Sequence, residues 1–168
     1  MALRDFIYVN ECLGQNRKPV LIYKIRTMHL DADVRLDEVL QEICDSLGKP
    51  IVDPRVTKVG ELLRRYWIDE LPQVYNLARG DIKLVGIRPM KETTWEKRYP
   101  QEVMDRALTQ KPGLMGVQYA HPNTPNFRNH LAHLVAYLDQ WEEDPVKTDR
   151  EYLSRIVSNI VFGGMRSR

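Results

Sequence analysis

The sequence predicts an α+β fold, in which one helix-rich domain carries a small sheet of short strands. Apolar residues at helical spacing account for most of the patterned sequence, whereas only two short runs favour strands. The length of 168 residues is sufficient for one domain with a buried core. Since no internal repeat or low-complexity tract divides the chain, we expect residues 1–168 to form a single domain.

The first part of the chain is predicted to hold one strand and two helices. Residues 1–20 are weakly patterned, and the Val, Ile and Tyr residues of 19–26 predict a strand. Apolar residues recur at helical spacing within 31–47, and a glycine and a proline are expected to stop that helix. Thr57 is placed to cap a short helix that ends near Tyr66.

The middle of the chain is predicted to hold a helix followed by a strand. Asp69 is placed to cap the helix, which tolerates Pro72 in its first turn and ends at Gly80. The apolar run at 82–85 predicts the second strand and ends in a glycine. Both elements are short, as the small sheet requires.

The last part of the chain is predicted to be mainly helical. Residues 90–110 favour helix and end at a Lys-Pro-Gly break, and residues 116–127 form a loop. Two further helices, at 129–143 and 150–162, each have one apolar face, and the tail at 163–168 is expected to fray. We expect these two faces to pack the core, and contact with a membrane surface is the alternative.

Composition excludes several classes of protein. The 25 Lys and Arg residues nearly balance the 23 Asp and Glu residues, so no net field draws the chain to nucleic acid. The two cysteines, Cys12 and Cys44, lie far apart, which argues against a disulfide framework or a thiolate zinc site. The longest apolar run is 20–23, whereas a membrane span needs roughly 20 apolar residues, so we expect no transmembrane segment and no signal peptide.

Two adjacent carboxylates, Asp69 and Glu70, are the most informative feature of the sequence. Local pattern alone favours a structural interpretation, in which they cap a helix and complement its dipole. The same geometry has a chemical interpretation, because a helix N-terminus favours phosphate. A carboxylate there could attack a phosphorus atom or contribute to a Mg²⁺ site.

Basic residues accompany this acidic pair. Lys24 and Arg26 alternate along the first strand and therefore share a face. Arg64 lies shortly before Asp69, and Arg88 follows the second strand. A pyrophosphate substrate needs such cations to neutralise its oxygens during transfer, although any single exposed Arg or Lys is more often simply solvated.

Three histidines lie late in the chain, at His121, His130 and His133. The last two could face one way on a helix, but a zinc site would need a third ligand and a supporting shell. We therefore expect surface or partly buried histidines here.

Short motifs in a fixed order connect the chain to a known family. They are 23–28 (Tyr-Lys-Ile-Arg-Thr-Met), 53–60 (Asp-Pro-Arg-Val-Thr-Lys-Val-Gly), 63–65 (Leu-Arg-Arg), 69–73 (Asp-Glu-Leu-Pro-Gln) with Asn76, 80–81 (Gly-Asp), 84–86 (Leu-Val-Gly), 88–89 (Arg-Pro) and 111–113 (Lys-Pro-Gly). Their order and spacing over residues 22–116 resemble those of the bacterial sugar transferases. These are monotopic phosphoglycosyl transferases, also called polyprenyl-phosphate glycosyl-1-phosphate transferases.

The resemblance implies an activity. Family members transfer a sugar-1-phosphate from a nucleotide diphosphate sugar, usually a UDP-sugar, to polyprenyl phosphate, which initiates cell-surface glycans. Asp69 would be the nucleophile that forms an aspartyl-phosphate intermediate, and Glu70 would complete a Mg²⁺ site with it. The basic residues that the resemblance places at the phosphates or the nucleotide sugar are Lys24, Arg26, Arg64, Arg88 and Lys111. The expected location is the cytoplasmic side of the bacterial inner membrane, as a peripheral protein without a transmembrane segment in this chain.

The chain also departs from the family pattern. Family members normally begin with a membrane-dipping hydrophobic helix, whereas the residues before Tyr23 are mixed here, so we expect no such helix in this chain. Ile87 stands where the family usually has proline. The run 114–119 is one residue shorter than the family's Ile/Leu-Thr-Gly and the following segment that ends Ala-Gln-Val, and the loop from 121 to 129 is unlike the common pattern. These departures leave an alternative open, namely a catalytically silent homologue that binds a nucleotide sugar or a partner subunit.

Overall fold

The computed structural model describes residues 6–32 and 53–163. The predicted helix at 31–47 therefore lies outside the described residues, apart from its first two positions, which form a turn, and so does the tail after residue 163. The helices and strands are β1 (Ile7–Leu13), β2 (Pro19–Ile25), α1 (Lys58–Arg65), α2 (Gln73–Arg79), β3 (Lys83–Gly86), α3 (Glu92–Arg98), α4 (Gln101–Ala107), β4 (Gly113–Gly116), α5 (Phe127–Glu143) and α6 (Pro145–Val161).

Two small sheets accompany these helices, which confirms the α+β prediction. Strands β1 and β2 form an antiparallel hairpin, with Ile7 opposite Ile25 and Leu13 opposite Pro19. Strands β3 and β4 pair in parallel, with Gly86 opposite Gly116. The predicted strands at 19–26 and 82–85 are confirmed as β2 and β3, whereas β1 and β4 were not predicted.

Helix α1 begins as predicted and lies very close to the first hairpin. The Thr57 side chain accepts a hydrogen bond from the Gly60 amide at 2.9 Å, which caps the helix. A Cβ atom at Gly60 would collide with the carbonyl of Thr27, just beyond β2, so only glycine allows this approach. The close contact brings the C-terminal arginines of α1 towards the end of β2.

The prediction that Asp69 caps a helix is wrong. A 3₁₀ turn spans Ile68–Glu70, and helix α2 starts only at Gln73, with Pro72 at its N-cap position and no side-chain capping bond. The turn is introduced by Trp67, whose backbone adopts the left-handed conformation at φ 63°. The change of direction at Trp67 separates the acidic pair from the helix, and this leaves the carboxylates available for other contacts.

The apolar faces of α5 and α6 pack the main core. Leu134 and Leu138 of α5 and Ile156 of α6 are all 3% exposed or less, which confirms that these faces pack the core. Val157 and Val161, which belong to the predicted face of α6, are exposed instead. Trp95 of α3 and Tyr137 of α5 are fully buried in the same cluster. The helical segment predicted at 90–110 forms two helices, α3 and α4, because Pro100 interrupts it.

A second, smaller cluster lies beneath the hairpin and joins it to α2. It contains Cys12, Ile22 and Ile82, with Leu77 of α2 packed against them. Cys12 is a free thiol, and burial raises its pKa to about 11, so this side chain acts as a small apolar group. Gly80 ends α2 in the left-handed conformation at φ 74°, as predicted. Across the described ranges, no helix is both long and apolar enough to cross a bilayer.

Candidate active site

The acidic turn meets two cations that come from different sheets. Lys24, on β2, donates a hydrogen bond from Nζ to Glu70 Oε1 at 2.8 Å. The guanidinium of Arg88, two residues after β3, places Nη2 3.6 Å from the same oxygen. The Glu70 side chain is only 10% exposed, so these charges interact with little screening by water. Glu70 therefore holds two cations beside one another.

Asp69 is buried next to this ion cluster, and one of its oxygens is unused. Among the described residues, no hydrogen-bond donor reaches Asp69 Oδ1, although the residue is only 7% exposed. Burial raises the pKa of the Asp69 carboxyl, and the neighbouring Glu70 charge adds to this, whereas Lys24 and Arg64 oppose it. A buried carboxylate oxygen without a donor is costly, and such costs are typical of functional sites.

Arg64 supplies a third positive charge to the cluster. It is fixed in place because its Nε donates to Thr27 Oγ1 at 2.9 Å, at the point where α1 meets the end of β2. Burial lowers the pKa of Lys24 below its usual value, and the positive charge of Arg88 acts in the same direction, whereas Glu70 opposes both. The site thus concentrates positive charge that an anionic substrate would stabilise.

Asn76 sets the position of the acidic turn relative to β2. This fully buried side chain donates to the Leu21 carbonyl at 2.7 Å and accepts from the Tyr23 amide at 3.2 Å. It also donates to Asp81 at 3.1 Å. Because Asn76 binds the strand on both sides of one residue, α2 is fixed in register with Lys24.

A cleft of about 60 Å³ opens at the meeting point of these groups. Lys24, Glu70 and Arg88 line it, together with Tyr119 and the buried Gln73. Asn10, on the unpredicted strand β1, also contributes to the wall. The sequence places Gln73 in a motif but indicates no role for it, and no local signal marks Asn10 or Tyr119, since only the pairing of distant segments brings them here.

The structure does not bring every predicted basic residue to the acidic pair. The guanidinium of Arg26 lies over the ring of Tyr8, 5.5 Å from its centroid. Lys111 is exposed, and its Nζ lies 3.5 Å from where a Cβ of Gly80 would be, at the C-terminal end of α2. That end is roughly 10 Å from Gln73 at 1.5 Å per helical residue. Of the five predicted phosphate ligands, Lys24, Arg64 and Arg88 therefore form the cluster.

The three histidines do not converge on one point. His121 and His133 stack in parallel with ring centroids 4.0 Å apart, whereas His130 contacts the hydroxyl of Tyr99 at 3.1 Å. Within 6–32 and 53–163, no group of three or more His, Cys, Asp or Glu side chains is arranged to hold a metal ion. All three are partly buried, which agrees with the expectation of surface or partly buried histidines.

The acidic pair nevertheless suits a magnesium ion whose ligands come partly from the protein and partly from a bound substrate. Magnesium typically takes one or two carboxylates and completes its shell with phosphate oxygens and water. Asp69 Oδ1, buried and without a donor, is an oxygen of the kind that such an ion prefers. Asp69 and Glu70 would be the residues that hold the ion, and the remaining ligands would come from the substrate.

Comparison with known proteins identifies relatives over most of the chain. The galactosyl transferase CpsE of Streptococcus agalactiae serotype III is 33% identical over 139 residues, which cover 80% of this chain and 30% of the relative. The undecaprenyl-phosphate galactose phosphotransferase of Salmonella typhimurium is 33% identical over 148 residues, covering 80% of this chain and 28% of the relative. The exopolysaccharide production protein ExoY of Rhizobium meliloti is 33% identical over 141 residues, covering 80% and 62%.

These relatives extend beyond the matched region. The chain spans about a third of the length of the first two relatives and less than two thirds of the third. A family model for bacterial sugar transferases matches residues 2–163, which is nearly the whole chain. The match includes both strands of the hairpin, the acidic turn and the segment that carries Arg88. On this evidence, the chain belongs to the bacterial sugar transferase family.

Proposed function

We propose that this protein is a phosphoglycosyl transferase, which moves a sugar-1-phosphate from a nucleotide diphosphate sugar to polyprenyl phosphate. A UDP-sugar is the expected donor, and the product would initiate a surface glycan. The observation that carries the proposal is a buried carboxylate, Asp69, with an unpartnered oxygen and the charges of Lys24, Arg64 and Arg88 acting on it. This combination suits a diphosphate substrate, because the carboxylate can act as the nucleophile and the cations can neutralise the phosphate oxygens.

The reaction would proceed in two displacements at phosphorus. In the first, a carboxylate oxygen of Asp69 attacks the sugar-bearing phosphorus, and the bond to the bridging oxygen breaks, so that UMP leaves with that oxygen. In the second, an oxygen of polyprenyl phosphate attacks the phosphorus of the aspartyl phosphate. The bond to Asp69 breaks, the carboxylate is restored, and a polyprenyl diphosphate sugar is released. The covalent intermediate divides one difficult transfer into two easier ones.

The surrounding charges would act on the phosphate oxygens. Lys24 and Arg88 line the cleft and would neutralise negative charge that develops on the diphosphate during transfer. Arg64 lies beside Asp69 and favours its ionised form, which is the form that attacks. When bound, Mg²⁺ would add further charge neutralisation at the leaving phosphate. Glu70 would hold that ion and keep Lys24 and Arg88 in place.

The test is nucleotide release with matched donors and acceptor. We expect the protein, in Mg²⁺ buffer with detergent-dispersed polyprenyl phosphate, to release UMP from one or more members of a UDP-sugar panel. Omitting the acceptor should reduce release to at most one equivalent per enzyme, because the intermediate then accumulates. The absence of release by folded protein from every donor would contradict the proposal and favour the silent homologue that only binds.

Because the proposed acceptor carries a lipid chain, we expect a membrane-contacting surface beside the site. Exposed apolar side chains occupy the outer faces of α1 and α2 around the acidic turn: Val59, Leu62, Tyr66, Leu71, Val74 and Tyr75, each more than 50% exposed. Exposed Lys58 and Arg65 accompany them on α1. Apolar residues with flanking cations suit an anionic lipid surface, with the site facing the cytoplasm that supplies nucleotide sugars. This α1–α2 apolar surface, rather than α5 or α6, is the proposed membrane contact.

Vesicle flotation tests this contact. We expect the protein to float with vesicles that contain anionic lipid, and the Leu62→Glu/Leu71→Glu double variant to lose most of that binding. The matched control is the Val146→Glu/Val161→Glu double variant, which places the same two charges at exposed valines of α6. Equal loss in the control, or undiminished flotation of the double variant, would contradict the assignment.

A further inference from the structure

Tyr119 connects both halves of the site, although nothing in the sequence marks it. Its hydroxyl accepts a hydrogen bond from Arg88 Nη1 at 3.2 Å. Its ring contacts the indole of Trp67 edge to face, with centroids 4.6 Å apart. Its carbonyl accepts from Asn159 Nδ2 of α6 at 3.0 Å. Tyr119 thus contacts Arg88 in the cleft, Trp67 at the start of the acidic turn and Asn159 of α6.

The two ends of the Arg88 guanidinium are engaged by different partners. Nη1 faces the Tyr119 hydroxyl, whereas Nη2 lies 3.6 Å from Glu70 Oε1. Because a guanidinium is planar and rigid, two anchors at its two ends fix the direction in which the remaining N–H groups point. If Glu70 were its only partner, the Arg88 guanidinium could rotate and form two hydrogen bonds with that carboxylate.

The ring contact extends the same control to the nucleophile. Trp67 holds a left-handed backbone conformation that costs a non-glycine residue free energy, and the turn bearing Asp69 follows directly from it. The edge-to-face contact with Tyr119 is an interaction that can offset this cost. The Tyr119 side chain therefore contacts both Arg88, which is the cation, and Trp67, which introduces the turn that bears Asp69.

We propose that Tyr119 is a positioning residue, whose hydroxyl holds Arg88 towards the donor diphosphate and prevents its collapse onto Glu70. This inference rests on the proposed function, since the diphosphate is the ligand that Arg88 would meet. Tyr119 would act through Arg88 and takes no part in bond formation. It lies in the 114–129 region, where the chain departs from the pattern it otherwise resembles.

The test is a double-mutant cycle between Tyr119→Phe and Arg88→Ala. The Phe variant keeps the ring contact with Trp67 and removes only the hydroxyl. We expect kcat/KM for the donor to fall about tenfold, mainly through a raised KM, with an unchanged melting temperature. In the Arg88→Ala background, the same change should have no further effect. Tyr99→Phe, which removes a hydroxyl bonded to His130, is the matched control and should change neither value.

A second measurement separates this inference from the proposed function. Binding of inorganic pyrophosphate by the four proteins of the cycle, measured by calorimetry, requires no turnover. We expect Tyr119→Phe to weaken binding severalfold, and only when Arg88 is present. If the wild type binds pyrophosphate but releases no nucleotide, the proposed function fails while the cycle still decides the role of Tyr119. An equal loss in both backgrounds, no loss, or a wild type that does not bind pyrophosphate would overturn the inference.

Discussion

Asp69→Asn is expected to abolish transfer while leaving the fold intact. Asparagine has nearly the same shape but cannot act as an anionic nucleophile, so neither displacement can proceed, and we expect a loss of at least about 10³-fold in turnover. The fold should tolerate the change, because Asp69 Oδ1 holds no donor in the described structure and the residue does not cap α2. UMP release and thermal unfolding, measured in parallel, check both parts. Asp139→Asn, which removes an exposed carboxylate from α5, is the control.

The covalent intermediate gives this prediction a second readout. With donor alone, the wild type should gain the mass of a sugar phosphate on the peptide that contains Asp69, and Asp69→Asn should not. Since burial and Glu70 raise the pKa of Asp69, turnover should fall on acidification at a higher pH than an ordinary aspartate would require. Substantial turnover by Asp69→Asn, or adduct on another residue, would refute the nucleophile assignment.

Arg88→Ala is expected to have the second largest effect. It removes the guanidinium that lines the cleft beside Glu70 and Lys24, and we expect kcat/KM for the donor to fall about 10²-fold or more. The side chain is 38% exposed, so the loss of stability should be small. Initial rates at subsaturating donor measure the effect, with Arg155→Ala as the control for losing a half-exposed guanidinium on α6.

Arg88→Lys distinguishes charge from geometry. A lysine keeps the positive charge but cannot reach Tyr119 and Glu70 with two ends of one planar group, so we expect it to recover only part of the activity. An unchanged rate for Arg88→Ala at subsaturating donor would show that Arg88 does not bind the reacting phosphates. Full activity of Arg88→Lys would mean that its charge alone matters.

Local signals in the sequence predicted the elements whose formation depends mainly on neighbouring residues. Thr57 predicts the start of α1 and Gly80 predicts the end of α2, because capping and left-handed termination depend on neighbouring residues only. The β-branched run of β2 and the apolar periods of α5 and α6 are equally local signals. Such features are properties of a few consecutive side chains, and the structure retains them.

Strands β1 and β4 were not predicted, because their stability comes from pairing with β2 and β3. Strand β1 carries mixed residues, including Asn10 and Glu11, and is held by its pairing with β2. Strand β4 has four residues with glycine at both ends, and a Cβ at Gly113 would collide with the backbone of Gly86. A short strand that depends on a close approach to a distant segment has no periodic signal of its own.

The acidic pair shows what motif and geometry each contribute. The motif singled out Asp69 and Glu70 with Lys24, Arg64 and Arg88, and the structure brings these five together. Their local structure was predicted wrongly, because the left-handed conformation of Trp67 separates them from α2, and Trp67 makes a tertiary contact with Tyr119 that local sequence does not indicate. Tyr119 itself has no local signal, since a tyrosine in a loop reveals nothing about a partner 31 residues away.

The assembly of the site from distant segments has a consequence for how the chain folds. The contact of Lys24 with Glu70 closes a loop of 46 residues, and that of Arg88 with Tyr119 closes one of 31. Each closure costs chain entropy before any ion pair repays it, so the charge cluster is expected to form late, after the hydrophobic clusters. During synthesis, Lys24, Asp69 and Glu70 leave the ribosome before Tyr119 and helix α6, which Tyr119 contacts. The residues of the proposed site are therefore expected to be present in the nascent chain before they can come together.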